Sequence, residues 1–599
     1  MINSWLAAIE RIRPQHLLGV ASRPLLPILM LGLSVSLGVG QARAQCGSLG
    51  APSTTWQNGG NSFWNLDGNW TSGTPTASTN ACILNSTSTV ELNTNGNANG
   101  LQLATGNTLN IDSDASLNLG TGKSLIFGIL FNTGGTVTNS GKLTNNGLIS
   151  NSGTFSGPVA TLINNSGAHL SNNGSIGVIS GALDNNSGAH FTNNGSITVG
   201  APNSFATLYN GGTFLNNSNM FLTESTLENG GKFVNSGTIV QDSLSFTNGS
   251  RFNNAGTITL FSGIDPISVI NSGTFNNSGT MNVSFTVLFG NSFSNNGKLN
   301  NSGTMTVESS EGGFFGVQPA TMSNSATINN TGTFNITTSS GGSFSNSGTI
   351  NNTGALNIAQ IPPGLLSDNS GGSFNNSGTL RNSGTISNSG VFTNSGAVLI
   401  NGGLFTTSTN YTQTAGRTLV EGTLTATGGA IVDIEGGKLG GTGTINGDVL
   451  MKGTMSPGSS GASGTFTVNG NYEQTSTGVF DEIIKGASSN GLLDVSGVLA
   501  LDPGSLLEIT LQNGFDPLGD SFTVLDYGSL AGEFSNATSF FADGFNWTLT
   551  YGANDAVLTA VSADRVNTPD PGAMSLIVIG FGALLGFATR RRTVGRALN

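Results

Sequence analysis

The sequence is poor in charge, cysteine and histidine. Only 8% of its 599 residues are Asp, Glu, Lys or Arg. No long amphipathic helical pattern runs between the termini, which argues against a helical enzyme. There is no Gly-rich nucleotide loop, no Cys/His zinc spacing and no nucleophile elbow. No cofactor is expected. Histidine outside the first 44 residues occurs only as His169 and His190. Both stand in Asn-Asn-Ser-Gly-Ala-His, 21 residues apart, where a repeat position that happens to be His is the simpler reading.

What charge there is has one sign. The formal net charge is −12. Setting aside residues 1–44 and 566–599 leaves 11 basic and 29 acidic residues, a net of −18. A body of that charge repels nucleic acid, so no nucleic-acid partner is expected. Much of the acid comes late, with 17 Asp and Glu from Glu421 to Asp564. The two cysteines, Cys46 and Cys82, predict one disulfide near the mature N-terminus if the compartment is oxidising. Lipidation of Cys46 is the rival, but Ala44-Gln45 before it does not look like a lipobox.

What fills the chain instead is a repeat. Asn-Ser-Gly-Thr followed by an apolar residue begins at Asn151, Asn235, Asn271, Asn277, Asn301, Asn346, Asn376 and Asn382, with near-copies between. An apolar anchor recurs at Leu170, Phe191, Phe214, Phe233, Phe252, Phe275 and Leu299, at intervals of 21, 23, 19, 19, 23 and 24 residues. Around each anchor the apolar residues alternate with period two. Such units are expected to stack as rungs of a β-solenoid, Phe on Phe and Asn on Asn, about 4.8 Å apart. Glycine is expected at the corner for positive φ. A disordered polar linker is the alternative, but a linker does not need anchors at matching places.

The expected organisation is residues 1–44 a signal peptide, 45–125 an N-terminal β cap, 126–402 the solenoid, 403–565 an acidic β region closing it, and 566–599 a tail. Arg11, Arg13 and Arg23 precede an apolar run from Leu25 to Val39, and Ala42-Arg43-Ala44 places cleavage between Ala44 and Gln45. Trp56, Trp64 and Trp70 lie in the cap region. They cover an open solenoid end or, alternatively, offer platforms for sugar rings.

Gly440-Gly441-Thr442-Gly443-Thr444-Ile445-Asn446-Gly447-Asp448-Val449, then Ser456-Pro457-Gly458 and Asn469-Gly470-Asn471-Tyr472, resemble autotransporter passenger regions. The N-terminal Trp-Asn-Gly pattern is similar to the same set. The resemblance implies a parallel β-helical extracellular rod, all-β, and no particular activity. The tail, Pro569-Asp570-Pro571, an apolar run from Met574 to Ala588, then Arg590-Arg591-Arg592, resembles the PEP-CTERM sorting signal of Gram-negative bacteria, with Asp570 where that family usually has Glu. That resemblance implies a C-terminal hydrophobic helix held in the inner membrane before processing by an exosortase-type enzyme. It also implies delivery to the envelope, cell surface or extracellular matrix.

The expected function is therefore a secreted, adhesin-like surface or exopolysaccharide-matrix protein, not an enzyme. Its mechanism would be an Asn/Thr-studded face making weak multivalent contact with extracellular polysaccharide. The alternative is a β-helix enzyme acting on polysaccharide, which requires converging carboxylates. Between residues 130 and 402 the acids are Asp184, Glu224, Glu228, Asp242, Asp265, Glu308, Glu311 and Asp368, at no common spacing.

Overall fold

The computed structural model describes residues 46–563, apart from residue 86 and the segments 154–158, 263–264, 286–289, 310–319, 340–341, 362–366 and 459–462. The signal peptide, its Ala44/Gln45 cleavage site and the sorting tail with Pro569, Asp570, Pro571, Arg590, Arg591, Arg592 and the hydrophobic helix lie outside the described residues. The helical pieces among the described residues are two 3-10 turns, Cys46–Ser48 and Asp67–Asn69. No described helix is long and apolar enough to cross a membrane.

The chain is a parallel β-solenoid, as the repeat predicts. Each rung supplies a short strand to each of three ladders. On the first face Thr213–Asn216 pairs with Lys232–Asn235, which pairs with Arg251–Asn254. On the second, Leu148–Ser152 pairs with Ser175–Ile179 and that with Ser196–Val199. On the third, Ala160–Asn164 pairs with Gly181–Asn185 and that with Ala206–Asn210. The longer strands Asn219–Asn229 and Thr238–Asn248 bend through the corner between the second and third faces. A third strand per rung gives the section three sides.

The interior is one continuous core. The anchors form a single column: Leu170 lies beside Phe191, then Phe214, Phe233, Phe252, Phe275 and Leu299 in register. Neighbouring Phe rings from 191 to 275 stack nearly parallel, with centroids 4.4 to 5.0 Å apart. The rung spacing forces this geometry, since each residue sits directly over its equivalent.

The motif glycine has a different cause from the one expected. Gly237, Gly256 and Gly279 do not have positive φ. A Cβ on Gly237 would lie 2.0 Å from the Ser218 carbonyl oxygen, and on Gly256 2.0 Å from that of Gly237. The close approach of corner backbones in successive rungs favours glycine there, although Ser218 holds the equivalent place below Gly237 and Ala326 that below Gly348.

Neither expected internal boundary interrupts the ladders. Ser53–Thr55 already pairs with Asn80–Ile83, and Lys123–Ile126, straddling residue 125, pairs with Lys142–Asn145. Thr385–Asn388 pairs with Leu404–Thr407 across residue 402. A rung needs only an inward apolar residue at every second position, and the flanking regions meet that rule without the Asn-Ser-Gly beat. The parallel order ends at Ser521–Gly532, which pairs with Leu492–Leu501 on one side and antiparallel with Asp555–Ala563 on the other. Phe545–Tyr551 and Ser539–Ala542 extend that antiparallel closure.

Candidate functional surface

The strand Lys232–Asn235 shows how each position is used. Lys232 is exposed, Phe233 buried, Val234 half-buried and Asn235 buried. Positions one and three face outward, and two and four face inward. The motif Asn is therefore not on the surface. Within the strands, the Asn and Thr that reach the surface are those at positions one and three, not the motif Asn.

The buried Asn residues form two unbroken ladders. In the first, the Nδ2 of Asn216 donates to Oδ1 of Asn235, Asn235 to Asn254, Asn254 to Asn277 and Asn277 to Asn301, at 2.7 to 2.8 Å. This ladder runs from Asn145 to Asn394 and ends on Oε1 of Gln413. The second runs from Asn139 through Asn164 and Asn185 to Asn388, and ends on Oγ1 of Thr407. Each donor points to the next rung along the chain. The second N–H of Asn172 reaches the Ser196 carbonyl and that of Asn277 the Thr304 carbonyl, so these buried amides are satisfied on both hydrogens. Aligned amide chains reinforce one another in a dry interior.

An outward Asn row runs the other way on the first face. Asn276 donates to Asn253, Asn300 to Asn276 and Asn329 to Asn300, at 2.7 to 2.8 Å. Thr144, Ser171 and Thr192 stand earlier in the same column, separated from the Asn row by Leu215 and Val234. His169 and His190 are exposed on this face and stack with centroids 4.8 Å apart.

The tryptophans do not offer sugar platforms. Trp56, Trp64 and Trp70 are buried, and pack edge to face at centroid distances of 5.1 and 4.9 Å. The Nε1–H of Trp70 donates to the Trp64 carbonyl at 2.7 Å. Beside them Cys46 and Cys82 are disulfide-bonded, with Cα atoms 5.7 Å apart.

The acids are mostly dispersed. Glu224, nearly buried at the corner between the second and third faces, accepts the Asn203 N–H at 2.6 Å. Asp242 follows the same corner, Glu308 lies near the end of a second-face strand, and Asp368 lies on the third face. Glu311 lies outside the described residues. Three acids share a column on the third face: Asp184 is in register with Tyr209, and Tyr209 with Glu228, while Asp368 stands six rungs further along. Burial raises the Asp184 carboxyl above the ordinary range.

The acid best placed for unusual behaviour was not singled out from sequence. Glu482 is fully buried, and its Oε1 accepts the Gly491 N–H at 2.7 Å. Burial first, and the neighbouring Asp481 charge last, push its carboxyl well above the ordinary range, while the Gly491 bond opposes them. Asp481 pairs with Lys438 at 3.1 Å and takes hydroxyl bonds from Ser456 and Thr510. Adjacent strand positions turn these two side chains to opposite faces, so they do not converge on one substrate. Among the described residues, no three His, Cys, Asp or Glu are grouped to hold a metal ion.

Ladders, core and surface define the class: a parallel β-solenoid with a polar outer sheet. No family model matches the sequence, and no curated protein matches it. Among solved structures the chain is similar to the Haemophilus influenzae Hap adhesin, at 12% identity over 82% of this chain and 60% of that one, with a TM-score of 0.28. The chain thus spans less than two thirds of that protein, and a likeness at this level carries no argument about function.

Proposed function

We propose that this is an exported, non-enzymatic, adhesin-like solenoid of the cell surface or exopolysaccharide matrix of a Gram-negative bacterium. The observation that carries the reading is the first face: an uninterrupted outer sheet whose position-three column is mainly hydroxyl and amide. Such a surface suits many weak contacts to a long polymer better than one tight contact to a small molecule. The proposed partners are extracellular polysaccharide and, through Pro569-Asp570-Pro571 and Arg590-Arg591-Arg592, an exosortase-type enzyme acting while the tail is in the inner membrane. No nucleic-acid partner is proposed. The disulfide at Cys46 and Cys82 suits an oxidising exterior. Replacing the three arginines with Ala should leave export intact and leave the C-terminus unprocessed or misplaced. Identical C-terminal mass and localisation in wild type and variant would reject the sorting reading.

One observation favours the enzyme alternative. Asp184 and Glu228 stand two rungs apart, about 10 Å at the strand spacing, close to the separation of an inverting carboxylate pair. Against it, they lie on an outward sheet face with no groove between them described. Release of reducing ends from the host's polysaccharide, lost in Asp184→Asn, would establish that alternative.

A further inference from the structure

Charge on this molecule is sorted by face. Six Lys and Arg lie between residues 46 and 402. Five of them, Lys123, Lys142, Lys232, Arg251 and Lys298, occupy one column of the first face. The register carries the column from Lys123 to Lys142 and His169, then His190 and Thr213, then Lys232 and Arg251, then Thr274 and Lys298. All five cations and both histidines are exposed. In sequence each one except Lys123 sits immediately before the inward anchor of its rung, as in Lys232-Phe233 and Arg251-Phe252.

No acid stands on the first face from Lys123 to Asn394. Asp184, Glu228 and Asp368 lie on the third face, and Glu224 and Asp242 at the corner opposite the stripe. The described ion pairs, Lys438–Asp481 and Lys452–Asp433, both belong to the later region. The stripe cations therefore make no described ion pair and point to solvent along a straight line.

We propose that this stripe binds an acidic polysaccharide lying along the solenoid axis. The inference rests on the matrix reading above and narrows it from polysaccharide in general to a polymer bearing carboxylates. Eight rung steps of about 4.8 Å separate Lys123 from Lys298, about 38 Å in all. The line is one residue wide, which fits an extended chain and not a flat membrane. Its charge is sparse: five cations face a length over which duplex DNA carries roughly 20 phosphates. The acidic faces behind it repel a thick polyanion, whereas a thin chain stays on the stripe within a Debye length of about 8 Å. The adjoining column offers donors and acceptors for sugar hydroxyls at Thr144, Ser171, Thr192, Asn253 and Asn276, with Leu215 and Val234 between the two groups.

The test uses the full exported protein with three probes: alginate, a linear uronate polymer; dextran, its neutral counterpart; and duplex DNA. Two triple variants change the net charge equally. One is Lys142→Gln, Lys232→Gln and Arg251→Gln on the stripe. The other is Arg381→Gln, Arg417→Gln and Lys485→Gln away from it. The expected result is alginate binding by wild type, about tenfold weaker in the stripe variant and unchanged in the other, with dextran not bound. Equal losses in both variants overturn the stripe. Equal binding of alginate and dextran, insensitive to the stripe, overturns it while leaving the matrix reading standing. Binding of neither polysaccharide removes both. Tighter, stripe-dependent binding of DNA replaces the polysaccharide with a nucleic acid.

Discussion

Residues 126–402 and 403–563 build the same cross-section with different chemistry. In the earlier region the fourth position of each first-face strand is a buried Asn. Past Gln413 the same column continues as Ile434 and Met451, then Gln474 and Leu501. The amide ladder has become mainly aliphatic. The later region adds the two described ion pairs, a fully buried carboxyl at Glu482, and the antiparallel closing strands. The fold thus requires inward apolar residues with period two, while the amide ladder is one of two ways to fill the corner. Ladders need identical neighbours on both sides, so they belong to regular repeats. Apolar packing tolerates the irregular sequences near an end.

The strongest test of the shared rule is charge in the Phe column. Phe252→Asp buries a carboxylate between Phe233 and Phe275, and should abolish cooperative unfolding of the surrounding rungs. Truncation of such a Phe to Ala alone costs about 3–5 kcal/mol. The neighbouring Asn253→Asp, facing outward, should be mild. Equal effects in circular dichroism melts would break the inward/outward assignment.

A reciprocal exchange sharpens the difference between the two regions. Asn254→Ile leaves the Nδ2 of Asn235 and the Oδ1 of Asn277 without their ladder partners, and should cost about 3 kcal/mol. Ile434→Asn, at the equivalent corner, places a buried amide under Met451 and should cost about 2 kcal/mol. Denaturant unfolding read by local hydrogen exchange would resolve both. If either exchange is neutral, the two chemistries are interchangeable.

Glu482 gives a smaller effect with a definite pH sign. Its folded-state carboxyl titrates above the unfolded value of about 4.3. Its contribution is therefore complete below that value and declines as pH rises toward the folded-state value. Glu482→Gln should flatten this decline, so its advantage over wild type grows with pH. A parallel pH–stability curve would refute the assignment. The smallest effect is expected for Lys452→Gln, which removes a partly exposed pair with Asp433 at 3.3 Å, under about 1 kcal/mol.

The solenoid was legible because its cause is periodic. An apolar anchor every 19 to 24 residues cannot form a column unless each coil returns to the same place. The burial of Asn was harder to read. Asn in Asn-Ser-Gly looks like a turn residue, and only its position two places after the anchor, as in Phe233-Val234-Asn235, betrays that it points inward. The tryptophans were legible as cover for a solenoid end, with a sugar platform as the alternative, and Trp56, Trp64 and Trp70 are buried. The extent of the ladders was hidden because the eye follows the Asn-Ser-Gly beat, whereas the pairing follows the apolar alternation. The basic stripe was written in the sequence, with every cation but Lys123 one residue before an anchor, but scarce charges 19 to 90 residues apart do not look like a motif until the rungs are stacked.

The direction of the inter-rung hydrogen bonds has a mechanical consequence. Both the backbone pairing and the Asn amides bridge successive rungs, so their bonds lie along the solenoid axis. Tension applied end to end would load one rung interface at a time, and the rod would peel instead of shearing. Asn235 and Asn254 are 19 residues apart and Asn301 and Asn330 are 29. At about 3.4 Å per extended residue, each yielding rung would pay out about 65 to 100 Å of chain. Stretched between two anchorage points, the molecule would act as an extensible tether, absorbing work in a series of discrete steps that single-molecule force spectroscopy can count.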